Sequence, residues 1–149
     1  MDVWRFSSHE SIDGRGGLIA SARWHTRGRE ILYCAPNPAT AVLEVLVHAA
    51  VNQPASLSKH KFVKIEIPDD LDRSQIDEQR LPPEWSRQLR LTRAWGDRWL
   101  AEQKTAICLV RSALVPETTN VLINPRHPQA VRIVRSAVFP YPLDKRLFG

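Results

Sequence analysis

Apolar positions in the first half of the chain predict a buried strand followed by a helix. Residues 31–35 form a short apolar run between turn-forming residues, which is typical of a buried strand. Asn37 and Pro38 follow this run, and these residue types suit the N-cap and the first position of a helix. From Pro38 to about Ala50 nearly every position is apolar, so we expect a helix there that is buried on almost all sides.

The pattern of the remaining chain predicts further strands and a second long helical region. Val63, Ile65 and Ile67 alternate with polar residues, which is the period-two pattern of a half-buried strand. Residues 71–83 are polar and irregular, whereas residues 83–104 predict a helix that Gly96 could divide in two. Additional strands are predicted at 106–110, 120–123 and 132–139. This mixed order predicts an α+β fold in which the late strands form an antiparallel sheet.

Composition places the chain among globular proteins of one domain. It has 149 residues, of which 43% are hydrophobic and 25% are charged, which argues against intrinsic disorder. No apolar run approaches the roughly 18–20 residues of a membrane span, and residues 1–8 lack the apolar stretch of a signal peptide. The two cysteines, Cys34 and Cys108, are too few for a disulfide framework. We therefore expect a cytoplasmic protein with reduced thiols.

The net charge of +5 is unevenly distributed along the chain. Residues 1–75 contain nine basic and nine acidic side chains, whereas residues 76–149 contain twelve basic and seven acidic ones. Such an excess favours an anionic partner, either a nucleic acid, a phosphate-bearing small molecule or an acidic protein. A solvated basic surface accounts for the same numbers.

Glu44 is an unusual residue in the apolar helix predicted from Pro38. It lies between Leu43 and Val45, and a carboxylate in such surroundings is costly unless it is paired or hydrogen-bonded. Glu44 therefore either faces a cleft or a cation, or occupies an exposed stripe of the helix together with His48 four residues later. No additional His, Cys or acidic cluster has the spacing of a metal site, so no metal is expected.

Two further segments contain candidate ligand-binding residues. Arg23 and Arg27 follow a glycine-rich turn, and a guanidinium group there suits a phosphate or a carboxylate. For this segment alone, a solvated loop with one packed Trp is the favoured interpretation. Trp24 and Tyr33 could offer flat faces to a ligand ring. Ser112 follows the strand predicted at 106–110 and could bind a ligand or cap a turn. The P-loop, the dinucleotide fingerprint and the hydrolase nucleophile elbow are all absent from the sequence.

The order of these segments resembles that of the RES-domain toxins. That family is named for an Arg, a Glu and a Ser, and the matching positions here are Arg23, Glu44 and Ser112. The family usually has Pro before the Ser, where this chain has Arg111, whose charge could assist pyrophosphate binding. The resemblance extends from about residue 4 to residue 139. The segments that carry it are 16–17, 22–25, Gly28, 32–35, 41–48, 96–100, 111–117 and 120–128.

The resemblance implies a fold, an activity and a partner. RES-domain toxins belong to bacterial type II toxin–antitoxin pairs and are neutralised by antitoxins related to Xre-type DNA-binding proteins. Their fold is similar to that of ADP-ribosyltransferases, with a mixed or antiparallel β core and flanking helices. Members consume NAD⁺ by hydrolysis or phosphorolysis, and some transfer ADP-ribose to a protein. On this resemblance residues 1–149 form a single RES domain with NAD⁺ as substrate and no cofactor.

The resemblance also implies a role for each candidate residue. Cleavage of the nicotinamide–ribose bond passes through a centre with developing positive charge. The carboxylate of Glu44 would either stabilise this charge or hold the ribose hydroxyl. Arg23 would bind the pyrophosphate or ribose side, and Tyr33 would pack on the nicotinamide ring. Trp24 and Arg27 complete the predicted NAD⁺-binding set. Ser112 completes the predicted catalytic set. Water, phosphate or a protein side chain could serve as the acceptor.

Two other functional classes compete with this interpretation. Arginines and tryptophans alternate over residues 85–99, which could pair phosphate contacts with base stacking in an RNA-cleaving toxin. The tryptophans recur at helical spacing, which favours core packing, and a convergent acid–base set for RNA cleavage is missing. We therefore expect no direct nucleic-acid binding and no membrane binding. A catalytically inactive partner-binding module is the other alternative, and either a homo-oligomer or a complex with an antitoxin is compatible with the sequence.

Overall fold

The computed structural model describes residues 1–48, 54–76 and 78–148. Its strands form two sheets. They are β1 (Asp2–Ser7), β2 (Leu32–Cys34), β3 (Lys61–Glu66), β4 (Arg73–Gln75), β5 (Ile107–Arg111), β6 (Thr119–Ile123) and β7 (Val134–Phe139). One sheet has the order β1-β3-β7 and is antiparallel throughout. The other has the order β2-β6-β5-β4, in which β4 is parallel to β5. The mixed α/β content agrees with the predicted fold class.

Helices flank these sheets in the described residues. They are α1 (Gly16–Ile19), α2 (Pro38–His48) and α3 (Leu89–Glu102), and short 3-10 turns occur at Pro54–Leu57, Glu78–Arg80, Trp85–Arg87, Pro128–Arg132 and Lys145–Phe148. The predicted start of α2 is confirmed, because Oδ1 of Asn37 accepts a 2.9 Å hydrogen bond from the backbone amide of Thr40. The predicted end near residue 50 lies outside the described residues.

A pair of backbone hydrogen bonds joins the two sheets. The amide of Trp4 donates to the carbonyl of Ala35, and the amide of Ala35 donates to the carbonyl of Trp4, both at 2.8 Å. This bridge places β1 of one sheet beside the end of β2 of the other. Because α2 begins three residues after Ala35, the same bridge positions α2 across the junction of the sheets.

Buried side chains from both sheets form a shared core. Val3 and Ile65 from the first sheet pack with Leu32, Ile107 and Ile123 from the second. A second cluster lies between α3 and the second sheet, where Trp99, Leu100, Cys108, Val110 and Leu122 are buried. Both cysteines are free, and burial raises the pKa of each thiol to about 12, so they serve as small apolar core residues.

The structure corrects four predictions. Strands β1 and β4 were not predicted, and β7 pairs with β3 rather than with β5 and β6. Residues 85–87 form a 3-10 turn, so α3 begins only at Leu89 and then continues through Gly96 without a break. Helix α2 is not buried on all sides, because Leu43 is 40% exposed and Val47 is 53% exposed. Among the described residues no helix is long and apolar enough to cross a membrane.

Candidate active site

A cavity of about 530 Å³ lies where β1, β2 and α2 meet. Glu44 from the middle of α2 lines it, together with Tyr33 from β2 and Asn120 from β6. Aromatic side chains of β1 form another part of the wall, and His60 lies just before β3. The volume falls in the roughly 300–1,000 Å³ range of small-molecule sites. Glu44 therefore faces a cleft, which was one of the two interpretations of its place in an apolar helix.

Two neutral donors hold one oxygen of the Glu44 carboxylate. Oε1 accepts a 2.8 Å hydrogen bond from Oγ of Ser112 and a 2.7 Å hydrogen bond from Nδ2 of Asn120. Within the described residues Oε2 has no hydrogen-bond partner. The arrangement fixes the carboxylate of Glu44 in one orientation in the wall of the cavity.

Ser112 orients the carboxylate of Glu44 through a hydrogen bond. Its side chain is 1% exposed, and its Oγ accepts hydrogen bonds of 3.1 Å from the backbone amides of Leu114 and Val115. A serine hydroxyl has a single proton, and with both acceptor positions occupied this proton is donated to Glu44. Ser112 thus caps the turn after β5 and orients the carboxylate at the same time. The preceding Arg111 is the half-buried last residue of β5 and pairs with Thr119 of β6.

Arg23 lies near Glu44 and is anchored from α3 and its preceding turn. Its Nη1 donates a 2.5 Å hydrogen bond to the carbonyl of Ser86, and its own carbonyl accepts a 2.6 Å hydrogen bond from Oγ1 of Thr92. Burial lowers the pKa of the Arg23 guanidinium, whereas the negative charge of Glu44 opposes this shift. An arginine stays charged under these conditions, so the site holds opposite charges on two different elements.

Helix α3 holds the whole segment around Arg23. Nε of Arg93 donates a 2.8 Å hydrogen bond to the carbonyl of Ala22. The carboxylate of Asp97 accepts a 2.9 Å hydrogen bond from the amide of Thr26 and a 2.7 Å hydrogen bond from its hydroxyl. Gly96 lies so close that a Cβ placed there would be 1.6 Å from the carbonyl oxygen of Trp24. The segment is therefore pinned to a helix and is not a solvated loop.

A buried pair fixes Tyr33. Nε2 of His25 lies 3.3 Å from the carbonyl of Gly17, so the ring donates there and its Nδ1 accepts a 2.8 Å hydrogen bond from the Tyr33 hydroxyl. That hydroxyl also accepts a 3.1 Å hydrogen bond from the amide of Trp24. Burial raises the pKa of Tyr33 and lowers that of His25, so both groups are neutral. The ring of Tyr33 lines the cavity while its hydroxyl is used inside the protein.

Three of the predicted substrate-binding residues, Arg23, Trp24 and Arg27, are not among the residues that line the cavity. Trp24 is 3% exposed and packs against Trp85 at a ring-centroid distance of 5.6 Å, so the prediction that it contacts a ligand ring is wrong for this structure. Arg27 is exposed, and its backbone amide donates a 2.8 Å hydrogen bond to Oγ of Ser21. The role of Arg27 stays a prediction.

Three residues of the site were not predicted to belong to it. Asn120, which binds Glu44, and His25, which binds Tyr33, contact partners that are distant in the chain or on another element. His60 lines the cavity and packs against Phe6 at 5.1 Å between ring centroids. Nδ1 of His60 and Oδ1 of Asn120 are the buried side-chain polar atoms without a partner in the described part of the chain.

The tryptophans of residues 85–99 pack in the hydrophobic core. Trp99 is buried in the core, and Trp85 and Trp95 pack against the same cluster. Arg98 in this segment pairs with Glu102 at 2.9 Å. These contacts occupy the rings that base stacking on RNA would need. In the described ranges no three His, Cys, Asp or Glu side chains are grouped as a metal site.

Comparison with known proteins adds a family and several relatives. The family model of the RES domain matches residues 2–144. A protein named Toxin Res from Pseudomonas putida strain KT2440 is 40% identical over 99% of this chain and all of its own length. The Prs ADP-ribosylating toxin of Sphingobium sp. strain YBL2 is 35% identical over 93% of this chain and 87% of its own length.

A solved structure shares the fold. It is a chain of the M. tuberculosis MbcT–MbcA toxin–antitoxin complex, with a TM-score of 0.72 at 14% identity. The match covers 99% of this chain and 86% of that chain. At this identity the likeness extends to the arrangement of strands and helices and not to individual side chains.

Proposed function

This chain belongs to the RES-domain family, and we propose that it is the toxin of a toxin–antitoxin pair that cleaves the nicotinamide–ribose bond of NAD⁺. The observation that carries the proposal is the carboxylate of Glu44, which two neutral donors hold through Oε1 in the wall of a ligand-sized cavity. A relative at 40% identity is named as a toxin, which supports the first part of the proposal.

The chemistry matches this carboxylate. The bond between the anomeric carbon and the nicotinamide nitrogen breaks, and its electron pair goes to the ring, so nicotinamide leaves as a neutral molecule and needs no strong acid. Positive charge then develops on the ribose. A fixed carboxylate that is not neutralised by a cation within hydrogen-bond distance stabilises that charge. The acceptor oxygen, from water or phosphate, forms the new bond to the anomeric carbon and loses its proton to solvent or to a nearby base.

Arg23 and Tyr33 have complementary roles in this proposal. The guanidinium of Arg23 supplies a positive charge near Glu44, and a guanidinium binds the oxygens of a diphosphate through charge-assisted hydrogen bonds. The ring of Tyr33 lines the cavity and is held rigid by its hydrogen bonds to His25 and Trp24, so it offers a fixed face to the nicotinamide ring.

Transfer of ADP-ribose to a protein is the second candidate. A relative at 35% identity is named as an ADP-ribosylating toxin, and the bond broken in NAD⁺ would be the same. The two reactions differ only in the acceptor, and the walls of the cavity do not distinguish water from a protein side chain. The experiment therefore has to follow both products of the cleavage.

Purified protein incubated with NAD⁺ provides the direct test, with and without phosphate and with a cell extract as a source of protein acceptors. We expect free nicotinamide from the parent protein and almost none from Glu44→Gln. ADP-ribose, its phosphorylated form or labelled protein then identifies the acceptor. A parent protein that releases no nicotinamide under any of these conditions contradicts the proposal.

The proposal extends to the cell and to the partner. We propose a cytoplasmic toxin whose expression without an antitoxin arrests bacterial growth and lowers cellular NAD⁺; arrest at an unchanged NAD⁺ level contradicts the cleavage. We also propose an Xre-like antitoxin that places an acidic group near Arg23 and competes with NAD⁺ for the cavity. Saturating NAD⁺ should then weaken binding of the antitoxin, and Arg23→Ala should weaken it too.

A further inference from the structure

Asn120 has the position of an additional functional residue that the Arg, Glu and Ser of the family name do not include. It lies on β6, the strand between β2 and β5, and its side chain lines the same cavity as Glu44. Ser112 comes directly after β5. Strand β6 and the first residue after the neighbouring strand β5 therefore present two hydrogen-bond donors to one carboxylate oxygen on α2. Groups mounted on paired strands are held more precisely than groups on loops.

The hydrogen bond sets the orientation of the Asn120 amide. A carboxylate oxygen only accepts, so the amide group must turn Nδ2 toward Oε1 of Glu44, at 2.7 Å. As a result Oδ1 is buried and has no partner in the described residues. A buried acceptor without a donor is destabilising, because it has lost its hydrogen bonds to water without replacement. Such a cost is typical of a group placed for function rather than for stability.

The chemical type of the donor matters as much as its position. A lysine or arginine at this position would pair with Glu44 and cancel the charge that the proposed cleavage requires. The amide of Asn120 and the hydroxyl of Ser112 are neutral, so they orient the carboxylate and leave its negative charge to act on the substrate.

We infer that Asn120 is a positioning residue that, together with Ser112, fixes Glu44 with Oε2 directed to the substrate; this inference rests on the proposed function. Asn120→Ala removes the hydrogen bond from Asn120 to the charged carboxylate of Glu44, and this loss should lower kcat by about 10- to 100-fold. KM for NAD⁺ should change by less than about threefold, because Asn120 acts through Glu44 and an interaction that matters only in the transition state changes kcat alone.

Asn120→Asp tests the donor directly through the pH profile. Near neutral pH the new carboxylate repels Glu44 and cannot donate. As the pH falls the pair of carboxyl groups takes up one proton, and the protonated group then supplies the missing donor. Relative to the parent, kcat of this variant should recover at least about tenfold between about pH 8 and about pH 5.

The comparison isolates this one contact. Among the described residues, the other titratable or charged side chains that line the cavity are Arg5, Tyr33, Cys34, His48 and His60. Arg23 interacts electrostatically with Glu44 as well, and all of these residues are the same in parent and variant. Thr119→Asp is the matched control, since it adds the same charge at the exposed neighbouring position of β6. It should show the pH profile of the parent.

Three results would overturn the inference. These are parental kcat in Asn120→Ala, a pH profile of Asn120→Asp that is merely a scaled copy of the parental one, and recovery at low pH in Thr119→Asp as well. If the parent itself releases no nicotinamide, the proposed function fails, and crystal structures still test the inference. The Glu44 carboxylate should then turn away from Oγ of Ser112 in Asn120→Ala, and an unchanged carboxylate overturns the positioning role.

Discussion

The hydroxyl of Ser112 donates a 2.8 Å hydrogen bond to Oε1 of Glu44, and this bond joins residues 68 positions apart in the chain. The same hydroxyl accepts from the amides of Leu114 and Val115, so all of its hydrogen-bonding capacity is used. The serine therefore links the turn after β5 to the carboxylate on α2. These contacts hold the Glu44 carboxylate in one orientation, and a serine whose hydroxyl is fully hydrogen-bonded in this way is a poor nucleophile.

Ser112→Ala should lower both activity and stability. Glu44 loses one of its two donors, and the amides of Leu114 and Val115 lose their shared acceptor. We expect kcat for nicotinamide release to fall about 10- to 100-fold and the free energy of unfolding to fall by about 1–3 kcal/mol. Enzyme assays and urea denaturation measure the two effects separately. Full activity in a variant that is destabilised would exclude the orienting role.

Glu44→Gln should remove activity and leave the fold intact. The side-chain carbonyl of Gln can accept the hydrogen bonds from Ser112 and Asn120 as Oε1 of Glu44 does, so the contacts that hold α2 are kept. The negative charge is lost, and we expect nicotinamide release to fall by at least about 100-fold. A melting temperature within a few degrees of the parent shows that folding is not the cause. Parental turnover would show that Glu44 is not the catalytic carboxylate.

Arg23→Ala should impair substrate binding more than folding. The variant removes the guanidinium beside Glu44 and its hydrogen bond to the carbonyl of Ser86. Arg23→Lys is the matched variant, because it keeps the charge but loses the fork geometry that binds a diphosphate in bidentate fashion. In steady-state kinetics we expect no activity in Arg23→Ala. Arg23→Lys should retain activity with a KM for NAD⁺ above that of the parent. Equal activity of both variants and the parent would remove Arg23 from the site.

Gly96→Ala should displace the Arg23 segment from α3. The added Cβ would lie 1.6 Å from the backbone oxygen of Trp24, which cannot move without shifting Arg23. We expect a destabilisation of about 3 kcal/mol or more and a loss of activity. Gly16→Ala is the control, since a Cβ there meets nothing within 4 Å and should change stability by less than about 1 kcal/mol. Thermal denaturation of the two variants distinguishes close packing from a general effect of glycine replacement.

His25 should make stability depend on pH in the weakly acidic range. Burial lowers its pKa below the ordinary value of about 6.5, so the unfolded chain binds a proton first as the pH falls. The free energy of unfolding should therefore be insensitive to His25 above about pH 6.5 and decrease below it, down to the lower pKa of the folded state. The pKa of His60 is lowered by burial as well and acts in the same direction.

Thermal melts of the parent and of His25→Asn measure this effect between about pH 5 and about pH 8. The oxygen of Asn can accept the hydrogen bond from the Tyr33 hydroxyl but does not titrate, so the decline below about pH 6.5 should be shallower in the variant. An identical decline in the two proteins would show that His25 is not responsible.

The local sequence pattern was sufficient to predict several helices and strands. The start of α2 follows from Asn37 and Pro38, and β3, β5 and β6 follow from short apolar or alternating runs. The expectation that Glu44 faces a cleft, a cation or solvent also came from local pattern, because the cost of placing a carboxylate among apolar residues is independent of the fold. The assignment of Arg23, Glu44 and Ser112 together needed the family resemblance as well.

Tertiary structure alone decided which elements meet. Strand β7 resembles β5 and β6 in composition yet pairs with β3, because backbone pairing depends on the whole path of the chain rather than on side chains of one segment. Trp24 was predicted to touch a ligand and is in the core, because an aromatic ring suits both places. Asn120 was not predicted as a site residue, since an amide acquires its role only when another element brings a carboxylate to 2.7 Å from it. The sequence by itself determined the chemical groups of this protein and much of its local structure. The tertiary structure decided which groups are hydrogen-bonded to each other, because such bonds between distant residues depend on distance in space and not on separation along the chain.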